Sequence, residues 1–348
     1  MSFNPNCMAI AIGSMPNSDI NKALDIVLKY LPEAPIWPQL PKLSFNESMT
    51  AQYTEGMPCI KIDGEHSRVY VDTTSDDYLD EVSEKLGLAL DGQYEEFKIS
   101  EDFAHGFYAL MERLKVDFVS SIQILKGHVI GPLSLGLSLH DPSGKSIIYD
   151  DNLKDAMINA LAMKAKWQEQ EFLKLGKDVK TMIFFDEPSL TQIGTPFVSI
   201  SKDEAVEILN TCLDAVDGIK GIHVCGNTDW SLVTSTKTDI INFDAYTYPQ
   251  SLSLYPGEIS DFLDRGGMIA WGVTPSTEEI VGETAETIFA KFEAAVDLLS
   301  ETGIDKKRIL TRSFVSPSCG TGSLTEELSE RVFKCNHDVS KLIRAKYF

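Results

Sequence analysis

Positive charge is scarce in this chain: 31 lysines and arginines stand against 52 aspartates and glutamates over 348 residues, a formal net charge of -21. Phosphate contacts need clustered cations and no basic tract is present, so nucleic acid is excluded as a partner. The acidity is spread along presumed helix surfaces, as in Asp76-Asp77-Tyr78-Leu79-Asp80-Glu81, and reads as a solvated face. Long apolar runs are missing as well. No stretch approaches the roughly 18 residues of a membrane helix, and Met1-Ser2-Phe3-Asn4-Pro5-Asn6 has neither the basic nor the apolar part of a secretory signal. A cytoplasmic protein without a membrane partner is expected. The six cysteines are far apart with no C-x-x-C, which argues against a disulfide framework and for free or metal-bound thiols. Neither the H-E-x-x-H of hydrolytic zinc sites nor a G-x-G-x-x-G after the first strand occurs.

What is present centres on Gly221-Ile222-His223-Val224-Cys225-Gly226-Asn227. Residues two apart on a strand point to the same side, so one imidazole and one thiol here face a common point. Nearly a hundred residues later, Ser316-Pro317-Ser318-Cys319-Gly320-Thr321-Gly322 ends a second apolar run on a cysteine and a glycine-rich turn. One imidazole and two thiolates suit zinc, with a fourth position left for substrate. A lone His-x-Cys on a strand is usually plain core packing, since cysteine is among the most buried residue types, but here both runs end in glycine and small polar residues, as strand ends at a functional rim do. Cys7, Cys59, Cys212 and Cys335 lack histidine or glycine-turn neighbours and read as structural.

Apolar runs at residues 8–12, 36–41, 128–136, 179–185, 221–225, 240–244, 268–272 and 309–316 predict eight strands. They alternate with helical patterns at 152–175, 202–216, 277–300 and from 324 onward, and Ser18 is the expected cap of a first helix ending near Leu31. The expectation is an α/β chain forming a single (β/α)8 TIM barrel over residues 1–348. Residues 59–117 break the rhythm with a hairpin and two helices, and are expected as an insertion after the second strand that covers the barrel mouth. A barrel brings all strand C-termini to one rim, so Ser14, Gln39, Asp186, Glu187, His223, Cys225, Asp244 and Cys319 should converge there.

A thiolate-rich zinc with an exchangeable position binds a substrate thiol and keeps it ionised, which suits alkyl transfer to sulfur. Asp186 and Glu187 have the chemistry to hold an ammonium group or move a proton, or else to cap the next element. Asp244 is an oxygen donor for the metal or a plain strand-end carboxylate.

In order, Ile12-Gly13-Ser14, Gly131-Pro132-Leu133-Ser134, Phe185-Asp186-Glu187-Pro188, His223-Val224-Cys225 and Pro317-Ser318-Cys319-Gly320 resemble the motifs of the catalytic C-terminal barrel of cobalamin-independent methionine synthase. The wider superfamily includes uroporphyrinogen decarboxylase and the zinc methyltransferases acting on coenzyme M. The resemblance spans essentially the full chain. It implies zinc held by His223, Cys225 and Cys319, with Asp244 in the place of the family's glutamate ligand. It also implies homocysteine as substrate, held by Ser14 and by Asp186, the candidate catalytic residue, with Glu187 and Glu47 as further substrate-binding candidates. Two departures bear on the methyl donor. At this length there is no room for the additional barrel of full-length folate-dependent enzymes, and Trp271-Gly272-Val273-Thr274-Pro275 lacks the family's proton-donating histidine. An amine leaving group must be protonated, whereas a cobalt(I) corrinoid departs without a proton. The expected donor is therefore methylcobalamin or a corrinoid protein. Transfer to another thiol, and a non-catalytic zinc- or thiol-binding barrel, are the alternatives.

Overall fold

The computed structural model describes residues 3–348. Nine strands are present: β1 Met8–Ala9, β2 Ile60–Asp63, β3 Arg68–Val71, β4 Ile124–Ile130, β5 Lys180–Asp186, β6 Ile219–Val224, β7 Ile240–Phe243, β8 Met268–Thr274 and β9 Ser313–Pro317. Seven of them form one parallel sheet in the order β1-β9-β8-β7-β6-β5-β4, and β2 pairs antiparallel with β3.

The two edges of the large sheet, β1 and β4, are joined by residues 33–39. Lys126 donates its backbone N–H to Pro35 O at 3.1 Å, and Gln39 donates to Gly13 O at 3.1 Å. Ser14 bridges Gln39 and Ile36 bridges Lys126, both in parallel sense. The expected second strand is thus present as a bridged segment and not as a ladder, because Pro35, Pro38 and Pro41 have no N–H to donate. The sheet is curled and parallel, as a TIM-like barrel requires, with seven regular strands.

Alternation along the strands sends Met8, Ile124, Met182, Phe184, Ile240 and Phe314 into an apolar plug inside the sheet. Burying each of the two phenylalanines contributes about 2–3 kcal/mol. A larger apolar layer, including Leu125, Ile183, Phe185, Ile222 and Val315, joins the outer strand faces to the helices.

Local chemistry shifted several boundaries. Asp19, not Ser18, caps the first helix Ile20–Tyr30, its carboxylate accepting from Asn21 N at 2.9 Å and Lys22 N at 3.2 Å. The third strand runs over Ile124–Ile130. Residues 132–136, expected to continue it, belong to helix Pro132–Ser138, where proline's fixed φ starts a turn. Ile309 and Leu310 lie in helix Lys306–Thr311, so the last strand begins only at Ser313. A short 3-10 turn at Glu278–Gly282 precedes helix Ala285–Ser300, which is capped by Thr284 and Thr287.

Within residues 59–117 the hairpin is tied to the segment after helix Pro132–Ser138 by Val71 N donating to His140 O at 3.1 Å, helix Tyr78–Leu90 packs on helix Asp151–Leu173, and helix His105–Val116 packs on Ile20–Tyr30. No helix among the described residues is long and apolar enough to cross a membrane.

Candidate metal centre

β6 delivers the first two candidate ligands. Gly221, His223 and Cys225 alternate onto the inner face, and a Cβ on Gly221 would fall 2.6 Å from the Phe184 ring, so this glycine lets Phe184 fill the space beneath His223. β9 and its following turn deliver Cys319. One ring nitrogen of His223 and the sulfurs of Cys225 and Cys319 lie within 4.8 Å of one another.

The imidazole is oriented. His223 Nδ1 is 2.6 Å from Asn242 Oδ1, while Asn242 Nδ2 donates to Ala270 O at 2.9 Å and to Ser316 Oγ at 2.8 Å. Those two donations fix the amide with its oxygen toward the ring, so Nδ1 carries the proton and Nε2 the lone pair. Nε2 is buried without a hydrogen-bond partner. Burial pulls the His223 pKa down to about 4, against the Asn242 hydrogen bond, so the ring is neutral near pH 7. The neighbouring Cys319 thiol pulls Cys225 down to about 7, while Cys225 and burial push Cys319 up. A neutral nitrogen with an idle lone pair beside two sulfurs is a donor set that fits zinc.

The three groups open onto a cavity of about 350 Å³ that is also lined by Ser14, Gln39, Tyr53 and Asp186. Ser14 O accepts from Thr321 N at 2.8 Å and Thr321 Oγ1 at 3.0 Å, which stitches the end of β1 to the Cys319 turn. A Cβ on Gly320 would sit 2.1 Å from Ser14 Oγ, so the turn passes Ser14 only because residue 320 has no side chain. Asp186 Oδ1 is buried with no hydrogen-bond partner among the described residues. Burial pushes its carboxyl up to about 7, with Lys126 opposing and Cys225 adding to the shift. A cleft of about 880 Å³ adjoins the cavity through the shared residues Ser48 and Met49, and is lined by Phe45, Arg68, Tyr70 and His140.

Three expected site residues lie elsewhere. Glu187 turns away from the cavity: Oε1 accepts from Leu133 N at 2.9 Å, and Oε2 accepts from Ser134 N at 2.9 Å and Ser134 Oγ at 2.6 Å. It caps helix Pro132–Ser138, and its place against Gly131 leaves no room for a Cβ there. Glu47 is buried with Oε2 accepting from Leu40 N at 2.8 Å and Oε1 from His105 N at 3.2 Å and 2.7 Å from His105 Nδ1, so it ties loops together. Burial pushes its carboxyl up. Asp244 stands outside the three-residue group and accepts from Thr247 N at 2.9 Å, bracing its own turn.

Gln39 lines the cavity as the rim reading expects, whereas sequence reasoning passed over Tyr53 as a lining residue, and over the buried Lys126 and His128 of β4. The last two had a signal: polar residues two apart in Ile124-Leu125-Lys126-Gly127-His128-Val129-Ile130, a strand buried throughout.

No family model matches the sequence, and no curated protein matches it. Solved structures do. A B12-independent methionine synthase from Shewanella sp. W3-18-1, in complex with selenomethionine, aligns over 98% of this chain and 98% of its own with TM-score 0.58 and 13% identity. A Listeria monocytogenes protein assigned as a vitamin-B12-independent methionine synthase aligns over 96% of this chain and 87% of its own, with TM-score 0.53 and 15% identity. From end to end, the chain has the fold of these methionine synthase structures.

Proposed function

We propose that this protein is a zinc-dependent S-methyltransferase whose acceptor is the thiol of homocysteine or a close relative. The supporting observation is the convergence of His223, Cys225 and Cys319 on a cavity that also presents Asp186 and Ser14. His223 through Nε2, Cys225 and Cys319 would hold the metal. When bound, zinc supplies the charge that keeps a substrate sulfur ionised at neutral pH. Asn242 holds the imidazole tautomer. Asp186, with an oxygen left unpaired in the cavity wall, receives the substrate ammonium, and Ser14 orients the amino-acid end. The substrate sulfur then attacks the methyl carbon, forming the S–C bond as the donor keeps the electron pair of the bond that breaks. The adjoining cleft is wide enough for a donor much larger than the acceptor.

The donor follows from the leaving group. At the end of β8, Thr274 Oγ1 is committed to Asn336 at 3.2 Å and Ser276 Oγ to Ser318 at 3.0 Å, so this rim offers tied hydroxyls and no imidazole to protonate an amine. That favours a methylcorrinoid, free or carried by a protein. The two similar structures are named as B12-independent methionine synthases, which favours a donor other than a corrinoid. Zinc-loaded protein given homocysteine with methylcobalamin, and separately with methyltetrahydrofolate, tests both readings. Methionine from the first is the expected result, and methionine from the folate alone replaces the donor. Stoichiometric zinc with no methylation of any thiol overturns the enzymatic reading.

A further inference from the structure

Lys126 is fully buried inside the sheet, where a charge is costly to place. The only side-chain hydrogen bond of Lys126 among the described residues goes from Nζ to Ile12 O at 2.6 Å, and its ammonium lies 4.4 Å from the Phe184 ring centroid. Ile12 lines the thiol cavity, while the cavity lining itself contains no lysine or arginine. The charge of Lys126 acts on Asp186, His128 and His223 alike. Burial pulls its pKa down, and the neighbouring Asp186 carboxylate opposes that shift. This ammonium is therefore a buried positive charge held on the backbone of a residue that lines a cavity with two sulfurs and a carboxylate.

We infer that Lys126 is a positioning residue that sets acceptor specificity: its fixed positive charge beneath the cavity floor allows a thiol bearing a carboxylate to bind beside Asp186. This deepens the thiol-methylation reading and rests on it. With zinc balancing two cysteine thiolates, the ionised forms of Asp186 and Lys126 cancel, and the site suits an amino acid whose own carboxylate and ammonium cancel. Without the lysine charge, the same site turns net negative and suits an aminothiol instead. Lys126 does this from below, through the peptide of Ile12 and across Phe184, without touching substrate.

The test is calorimetric and needs no methyl donor. Zinc-loaded wild type, Lys126→Met and Lys126→Arg are titrated with homocysteine, 3-mercaptopropionate and cysteamine. In Lys126→Met, 3-mercaptopropionate weakens by about tenfold or more while cysteamine holds or tightens, the size expected for one charge acting through partly screened interior. Lys126→Arg restores the wild-type ranking. Equal weakening of all three thiols by Lys126→Met assigns the residue to packing and overturns the inference, as does an unchanged ranking. Should Lys126→Met not fold, the Lys126 side-chain 15N resonance of the wild type, identified by its loss in Lys126→Arg, is followed instead. It shifts on binding 3-mercaptopropionate, and an unmoved signal overturns the inference. Absence of thiol binding by the zinc-loaded wild type is a different failure, because it removes the thiol reading itself.

Discussion

Asn242 and His223 are joined by a 2.6 Å hydrogen bond that fixes which imidazole nitrogen faces the cavity. The bond is one-directional because both protons of the Asn242 amide are spent on Ala270 O and Ser316 Oγ. An Asn242→Leu substitution keeps the side-chain bulk and removes the acceptor, freeing the ring to take either tautomer. Zinc affinity should fall about 10- to 100-fold, the usual cost of losing a partner behind a histidine ligand. Competition with a chromophoric chelator measures it, and an unchanged affinity would show that the ring needs no such partner.

Cys225→Ser and Cys319→Ser remove one sulfur each from a rim position outside the apolar plug. Each variant should lose stoichiometric zinc and thiol binding while its circular dichroism and unfolding midpoint stay close to those of the wild-type apoprotein. Metal analysis and thermal unfolding together decide the point. Global unfolding of either variant would make the two cysteines structural.

Asp186 is read as the seat of the substrate ammonium because one of its oxygens is buried and unpaired in the cavity wall. Asp186→Asn should weaken homocysteine by about tenfold or more, in line with the loss of a buried charge-assisted contact, and should leave 3-mercaptopropionate no weaker than before. Titration of both thiols separates this from general damage, since a distorted cavity would weaken them together.

The His223–Cys225 pair was legible because its geometry is local. A period of two places His223 and Cys225 on one face of β6, and glycine ends both that run and the one leading to Cys319. The parallel sheet was legible for the same reason, from apolar runs alternating with helical spacing. What escaped depends on contacts distant in sequence. Glu187 looks as available as Asp186 until its partners Leu133 and Ser134, more than fifty residues earlier, are brought beside it by the pairing of β4 with β5. Glu47 is claimed in the same way by His105 and Leu40. Lys126 gives no local sign of its target, since the ring beneath it and the carbonyl it holds come from β5 and from the end of the first strand.

The assignment of Glu187 to the scaffold has a separate test. Truncation by Glu187→Ala leaves Leu133 N, Ser134 N and the Ser134 hydroxyl without their buried acceptor, and opens a void against Gly131. A loss of about 2–4 kcal/mol in unfolding free energy is expected from unsatisfied donors and cavity together. Denaturant titration measures it. Thiol affinity of the folded fraction should stay within about twofold, as for a residue with no direct part in binding; lost affinity with intact stability would return Glu187 to the substrate site.

Gly320 tests the junction between the two halves of the rim. An alanine there puts its Cβ 2.1 Å from Ser14 Oγ, too close for any real contact, so either the Cys319 turn or the Ser14 hydroxyl must move. The turn is held by two bonds from Thr321 to Ser14 O, and its cysteine belongs to the metal group. The hydroxyl has only the 3.4 Å contact from Gly322 N to oppose its rotation. Ser14 should therefore yield first. Gly320→Ala is expected to keep stoichiometric zinc, to cost about 1–3 kcal/mol of stability as overpacking does, and to weaken homocysteine without weakening a simple thiol such as 2-mercaptoethanol. Loss of zinc in this variant would mean that the turn moved instead, and that Ser14 is the more firmly held of the two.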